Sequence, residues 1–230
     1  MNFIEIKFDI QGKTLPADHG YTLYSAIKSN LQNLDNSLTR TILQSSNGES
    51  EKSLPSDVLI SSISGIHHSN RIIKLNQRIS KFKIRCPDQQ MRPWYCLLQN
   101  QVLSIGGHLI RLVQPKLGLI QPSNILKARN VIFKLEFIDN DQAPKYFLES
   151  CQKALDRLDI SAQVYIDSNE HGDLARRSLK VKQKHIVGYG VVVEGLSDED
   201  SIKLQSLGMG GRKHFGCGWF YPVKELKNEE

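Results

Sequence analysis

The chain has 230 residues and a hydrophobic fraction of 40%, enough for one large domain or two small ones with buried cores. Its net charge is +6 and its pI is about 9.1, which favours a polyanionic partner over an acidic small molecule. The first residues lack a basic segment followed by an apolar one, and no apolar run approaches the ~20 residues that span a bilayer. We therefore expect a cytoplasmic protein without a membrane partner.

The first half of the sequence predicts one helix among several strands. Apolar residues alternate with polar ones from Ile4 to Ile10, which is typical of a half-buried strand. After a turn at Pro16, leucines and isoleucines at helical spacing predict a helix capped by Asp18 or Thr22. Further strands are predicted at 58–64, 71–75 and 79–86, a hairpin at 102–112 and a linker at 115–122.

The second half predicts the order β-α-β-β-α-β. Strands are expected at 131–138, 162–167, 177–183, 186–194 and 219–223, and helices at 143–158 and from about 198 to 207. Ser197 and Asp200 resemble a capping box for the second helix. The pattern predicts an α+β fold of two tandem ferredoxin-like domains, related to RNA-recognition motifs, with antiparallel sheets. We place the domains at residues 1–120 and 121–230.

Basic residues are concentrated in two stretches. Six cations between Arg71 and Arg85 have no acid among them, and strand alternation places Lys81, Lys83 and Arg85 on one face of a sheet as a cationic stripe. The second stretch contains Arg176, Arg177, Lys180 and Lys182. Either stretch alone fits a solvated face, but together they favour a nucleic-acid contact.

A glycine-rich segment lies near the C-terminus, between a predicted helix and a predicted strand. Five glycines are mixed with cations and aromatic residues from Gly208 to Phe220, and they include Gly210 and Gly211 beside Arg212, Lys213 and His214. Glycines allow backbone N–H groups to form an anion-binding concavity, and the cations favour a phosphate backbone. A simple turn between helix and strand is the alternative, but it needs only one or two glycines.

These segments resemble a known family. Residues 15–24 (Leu-Pro-Ala-Asp-His-Gly-Tyr-Thr-Leu-Tyr), residues 176–181, residues 186–189 and the run from Leu196 to Arg212 are similar to CRISPR-associated repeat-processing endoribonucleases of the myxobacterial-type subgroup. The resemblance implies two ferredoxin-like domains and cleavage of precursor CRISPR RNA within its repeats. It implies no cofactor, and the sequence shows no acidic metal cluster.

The implied reaction is attack of a ribose 2′-hydroxyl on the adjacent phosphorus, which leaves a 2′,3′-cyclic phosphate and a 5′-hydroxyl. It needs a base with a pKa near neutrality, and histidine suits that role. We expect His19, at the start of the first helix, to be the general base, with Tyr21 as a further catalytic candidate. His67 or His68 is the alternative base, and a structural role for His19 is the competing interpretation.

The basic segments are expected to hold the RNA. The predicted contacts are Lys81, Lys83, Arg85, Arg176, Arg177, Lys180, Lys182, Gly208, Gly210, Gly211, Arg212, Lys213 and His214. The expected partners are the CRISPR repeat RNA, held through its 3′ hairpin, and other subunits of a type I effector complex. The alternatives are a non-catalytic RNA-binding subunit of an effector or CRISPR-associated transposon complex, and an unrelated basic RNA-binding protein.

Overall fold

The computed structural model describes residues 2–33, 38–39, 42, 54–68, 71–134 and 141–223. The chain forms two compact units. Unit 1 comprises residues 1–120, 179–185 and 213–216, and unit 2 comprises residues 121–178, 186–212 and 217–230. Two short segments from the second half of the sequence therefore belong to unit 1.

The first 120 residues contain eight described strands and two described helices. They are β1 (Phe3–Gln11), β2 (Thr14–Pro16), α1 (Gly20–Asn33), β3 (Leu59–Ile60), β4 (Ile66–His68), β5 (Ile72–Lys74), β6 (Lys81–Pro87), α2 (Asp88–Leu98), β7 (Val102–Ile105) and β8 (His108–Leu119). The strands form an antiparallel sheet in the order β3-β6-β1-β8-β7 and a small sheet in the order β2-β5-β4.

The core of unit 1 lies against one face of the larger sheet. The apolar residues that alternate along β1 and β6, such as Ile6 and Phe82, are completely buried. Leu23, Ile27 and Leu31 of α1 contribute to the same apolar cluster, at the helical spacing that the sequence shows. Alternation in the strands and the 3.6-residue period in the helix therefore place the polar faces of these elements away from the core.

The remaining elements lie in the second half of the chain. They are β9 (Leu126–Val131), α3 (Ala143–Asp156), β10 (Gln163–Ile166), β11 (Arg176–Val181), β12 (Lys184–Glu194), α4 (Asp198–Leu207), a 3₁₀ turn (Lys213–Phe215) and β13 (Phe220–Pro222). The sheet of unit 2 has the order β10-β12-β9-β13, and β11 also pairs with β12. The hydroxyl of Ser197 accepts a hydrogen bond from the Asp200 N–H at 3.1 Å, so the predicted cap of α4 is confirmed.

Both units show the strand order of a β-α-β-β-α-β fold. In unit 1, with β7 set aside, the sheet order is β3-β6-β1-β8, which is the second, third, first and fourth strand in chain order. In unit 2, with β11 set aside, the sheet order β10-β12-β9-β13 is again the second, third, first and fourth strand. The predicted α+β architecture with antiparallel sheets is therefore confirmed. The division into domains 1–120 and 121–230 stays a prediction.

Three local predictions need correction. The predicted linker at 115–122 is part of β8 as far as Leu119, because residues 116–119 pair with β1. The strand predicted at 131–138 ends at Val131, and positions 135–138 of that prediction lie outside the described residues. Residues 88–98 form a helix that the sequence did not predict, in which Trp94 is fully buried and contributes to the core.

In the described ranges, no helix is both long enough and apolar enough to cross a membrane.

Candidate nucleic-acid interface

His19 is a buried residue held between two backbone segments of unit 1. Its exposed fraction is 1%. The Ile63 N–H donates to Nε2 at 2.9 Å, so Nε2 is the acceptor nitrogen and Nδ1 carries the proton. Nδ1 lies 2.8 Å from the carbonyl oxygen of Pro16 and donates to it. The ring is therefore the neutral tautomer that links β2 to the segment before β4.

This geometry weighs against the general-base role of His19, which stays a prediction. A general base must present an unshared electron pair to the proton that it removes. The acceptor nitrogen of His19 already binds a backbone N–H, and the ring has almost no exposed surface. The arrangement supports the competing interpretation, in which this histidine is structural.

The start of α1 lies directly against the 3₁₀ turn of unit 1. A Cβ atom added to Gly20 would overlap the carbonyl oxygen of Phe215, and the side chain of Leu179 is the next neighbour. Only a residue without a side chain allows the two backbones to approach so closely. Gly20 thus brings the turn that carries Lys213 and His214 to the first turn of α1.

Aromatic rings hold the same turn on α1. The rings of Tyr24 and His214 are stacked, with centroids 5.9 Å apart and planes 6° apart. Phe215 packs against Tyr24 at 4.8 Å and against Tyr21 edge-on at 5.6 Å. Burial raises the pKa of Tyr24, so its hydroxyl stays neutral near pH 7. Tyr21 and Tyr24 therefore contribute packing surface to this junction.

His214 is tied to the chain before β3. Its Nε2 lies 2.8 Å from the carbonyl oxygen of Pro55. Burial is the main effect on this imidazole and lowers its pKa, although the carbonyl groups of the segment oppose that shift. Burial also lowers the pKa of the neighbouring Lys213.

The tip of the β11–β12 hairpin belongs to the same unit. The carboxylate of Asp18 accepts a hydrogen bond from the Lys180 N–H at 2.7 Å. Asp18 lies just before α1, so the hairpin tip and the 213–215 turn both contact the start of this helix. The side chain of Lys180 is exposed, and Lys182 occupies the tip with a φ of 56°.

The glycine-rich segment uses its backbone mainly for packing. Gly210 has a φ of 76°, and a Cβ atom there would meet the carbonyl oxygen of Ile132 at 2.6 Å. The N–H groups of Gly208, Gly211 and Gly218 donate to carbonyl groups of unit 2. These three donors are occupied, so the predicted anion-binding concavity cannot be built from them. Arg212 is exposed on the same segment.

The predicted cationic stripe of β6 is largely neutralised by β1. Lys81 pairs with Asp9 at 2.9 Å, and Lys83 and Arg85 pair with Glu5 at 2.7 and 2.9 Å. Burial opposes ionisation of Glu5, but the two cations outweigh it and lower its pKa. Arg85 is 2% exposed, so it cannot contact RNA in this arrangement. The sequence alone did not predict these ion pairs, because the acids lie on a strand 70 positions or more away along the chain.

The remaining predicted residues are exposed. Arg176 and Arg177 lie at the start of β11. His67 and His68 lie on β4, which pairs with β5. Both histidines have exposed side chains, in contrast to His19 and His214. In the part of the chain that the structure describes, no three His, Cys, Asp or Glu side chains are grouped as metal ligands.

Sequence reasoning missed the residues that assemble this junction. Phe215, Leu179 and Ile63 contact the start of α1 or His19, but each lies at least 44 positions away along the chain. Lys213-His214-Phe215 lies within the glycine-rich segment, and nothing in that segment indicated contact with α1.

The depressed pKa of His214 predicts a pH-dependent stability. The folded protein favours the neutral imidazole, so below the ordinary histidine pKa the unfolded chain binds more protons. The contribution of His214 to the free energy of unfolding is therefore complete above the ordinary histidine pKa, and it falls as the pH drops below that pKa. We expect the free energy of unfolding to decrease less from pH 7.5 to 5.5 in His214→Gln than in the wild type. Parallel pH profiles from denaturant unfolding would contradict this assignment.

Comparisons with known proteins agree with the fold and with the predicted family. The model of the Cas6 CRISPR family matches residues 4–225. A CRISPR-associated endonuclease Cas6 of Myxococcus xanthus (strain DK1622) is 29% identical over 222 residues, which cover 96% of this chain and 82% of that protein. A solved CRISPR-associated Cas6 protein has a TM-score of 0.66 at 14% identity, covering 96% of this chain and all of the other. A Cas6-related protein of Pyrococcus furiosus has a TM-score of 0.64 at 13% identity, covering 97% and 100%.

The structural matches confirm the predicted pair of ferredoxin-like domains. The family match spans almost the whole chain, from β1 past β13, and so includes the junction of α1 with the 213–215 turn. The chain therefore belongs to the Cas6 family of CRISPR-associated proteins.

Proposed function

We propose that this protein is an endoribonuclease that cleaves CRISPR precursor RNA within its repeats. Membership of the Cas6 family carries the proposal, and the Myxococcus xanthus relative is named as an endonuclease. The exposed cations at the hairpin tip, Lys180 and Lys182, supply a surface for phosphate groups, and Arg212 is a further exposed cation of the chain. An A-form stem offers phosphates and 2′-hydroxyls to such a surface.

The proposed chemistry needs no metal ion. A base removes the proton of the ribose 2′-hydroxyl, and the oxygen attacks the adjacent phosphorus. The bond from phosphorus to the 5′-oxygen breaks, and that oxygen takes a proton. The products are a 2′,3′-cyclic phosphate and a 5′-hydroxyl. Cations beside the phosphate stabilise the charge that develops on its oxygens, and Lys213 and Lys180 are candidates. After cleavage the protein holds the 3′ hairpin and joins a type I effector complex.

The base is assigned to His67 or His68 rather than to His19. Both exposed imidazoles are accessible to a 2′-hydroxyl, whereas His19 is occupied on both nitrogens. Tyr21 remains a candidate for orienting the ribose, because it lies half-buried at the first turn of α1.

A non-catalytic RNA-binding subunit is the second candidate function. The observation in its favour is the locked ring of His19, the residue that the family resemblance indicated as the base. The protein would then hold the repeat hairpin through the same cations without turnover.

Cleavage of the cognate repeat RNA in EDTA separates these candidates. We expect wild-type cleavage, no cleavage of RNA with a 2′-deoxy nucleotide at the cut, and a loss of about 10²-fold or more in His67→Ala or His68→Ala. His171→Ala, on an exposed loop, is the matched control. Tight binding without cleavage would establish the binding subunit. Cleavage of the deoxy substrate would exclude the 2′-hydroxyl mechanism.

A further inference from the structure

Three lysines lie in one row across the outer face of the unit 1 sheet. Lys7 of β1 is the register partner of Lys83 in β6 and of Lys116 in β8. Register partners in antiparallel strands point to the same face, so the three side chains project together. Like charges directly opposite each other destabilise a sheet. The stability of the fold therefore does not explain why three lysines lie in this row.

The acids of this face do not neutralise the whole row. Asp9 pairs with Lys81, and Glu5 pairs with Lys83 and Arg85. Among the described residues, neither Lys7 nor Lys116 forms an ion pair within 4 Å, although both contribute to lowering the pKa of Asp9. Lys116 is exposed and Lys7 is half-buried. The surplus charge of the face therefore lies on these two lysines and on Arg111, the exposed register partner of Gln11, rather than on the β6 cations that the sequence indicated.

A β-bulge turns Lys116 toward this face. The register of β1 with β8 shifts by one residue between the pairs Asp9–Val113 and Lys7–Lys116. Gln114 has a φ of 49°, in the left-handed region. A strand without the extra residue would place Lys116 on the opposite face, because side chains alternate along a strand. Bulges of this kind redirect side chains next to functional sites.

We propose that Lys7 and Lys116 form a contact site for RNA phosphates on the outer face of the unit 1 sheet. The proposal rests on the proposed function, since it assumes an RNA partner. The register partners next to Lys7 and Lys116 are charged or aliphatic, and the ring of Phe3, on the same face of β1, is half-buried four residues away from Lys7. Ionic contacts to phosphates are the recognition that it can provide, without direct readout of sequence.

Binding measurements on Lys7→Gln/Lys116→Gln test this site. The control, Lys145→Gln/Lys153→Gln, removes the same charge from exposed positions of α3. Three RNAs are compared across a salt series: the repeat hairpin, the hairpin with a single-stranded 5′ extension, and an unrelated single strand of the extension's length. Thermal unfolding of each variant without RNA is measured in parallel.

We expect the double variant to lose affinity on the order of tenfold at physiological salt, and its salt slope to fall by about 1.4 for a single strand. Its unfolding temperature should not decrease, because removing opposed like charges relieves repulsion. Loss with the hairpin alone assigns the site to stem phosphates, and loss only with the extended or unrelated strand assigns it to a flanking strand. Equal affinities in both double variants for all three RNAs would overturn the proposal and favour an acidic protein partner.

Failure of the proposed function gives a different result. In that case the wild type would show no preference for the repeat hairpin over the unrelated strand, and no cleavage. The phosphate site would still be supported if Lys7→Gln/Lys116→Gln bound the unrelated strand more weakly than the wild type and the control variant did not. Absence of any RNA binding by the wild type would overturn both.

Discussion

Replacing His19 by alanine is expected to lower the free energy of unfolding by about 3 kcal/mol or more. The change leaves the Ile63 N–H and the Pro16 carbonyl group without their partner, and each unsatisfied buried group costs roughly 1–3 kcal/mol. The space left by the ring adds to this cost. Denaturant unfolding measures the effect, and the wild-type RNA cleavage rate is compared at the same temperature.

Two further variants make the His19 result decisive. His19→Gln offers an N–H donor and an oxygen acceptor in a neutral side chain, so it should recover part of the lost stability. His171→Ala, at an exposed position, should change stability by less than about 0.5 kcal/mol. If His19→Ala keeps wild-type stability and cleaves about 10²-fold more slowly or worse, the ring must be released when RNA binds, and His19 is the base after all.

Replacing Gly20 by alanine is expected to have a smaller effect on stability than His19→Ala and a large effect on RNA binding. The new Cβ would overlap the carbonyl oxygen of Phe215, which is backbone and cannot rotate away. Overpacking of this kind typically costs about 1–3 kcal/mol, even though alanine favours a helix by about 1 kcal/mol over glycine. The 213–215 turn should move away from α1 and take Lys213 with it. Denaturant unfolding and repeat-RNA binding measure the two consequences.

Gly118→Ala is the matched control for Gly20→Ala. No atom lies within 4 Å of a Cβ at Gly118, so the same substitution should leave stability and RNA affinity nearly unchanged. Wild-type stability in both variants would show that the contact between Gly20 and Phe215 relaxes without cost. Reduced RNA affinity in a stable Gly20→Ala protein would show that the position of the turn, rather than the fold, sets binding.

The sequence predicted those elements whose pattern is local. Alternation from Ile4 to Ile10 predicted β1, and the spacing of Leu23, Ile27 and Leu31 predicted the buried face of α1. Ser197 predicted the start of α4 because a cap depends on residues three positions apart. Proline at position 115 suggested a linker, but the bulge beside it accommodates the missing N–H and lets β8 continue.

The candidate site was predicted less well because its contacts are distant in sequence. The residue types at Arg85 and His19 indicated an RNA contact and a base, and nothing near them in sequence showed that Glu5 and Ile63 would occupy them. The charge row of Lys7 and Lys116 depends on strand register, which the bulge at Gln114 sets. Pairings of this kind are tertiary, so one sequence does not reveal them.

Unit 1 is built from segments that are far apart along the chain, and this affects when it can complete its folding during protein synthesis. The ribosome makes α1 early, but the residues that pack on Gly20 and Tyr24 are not made until Phe215 has been added. The nascent chain must therefore carry an incompletely packed first unit through most of translation, with its apolar surface available to chaperones. A premature stop before residue 213 would remove the 213–215 turn and would leave the first unit unfinished.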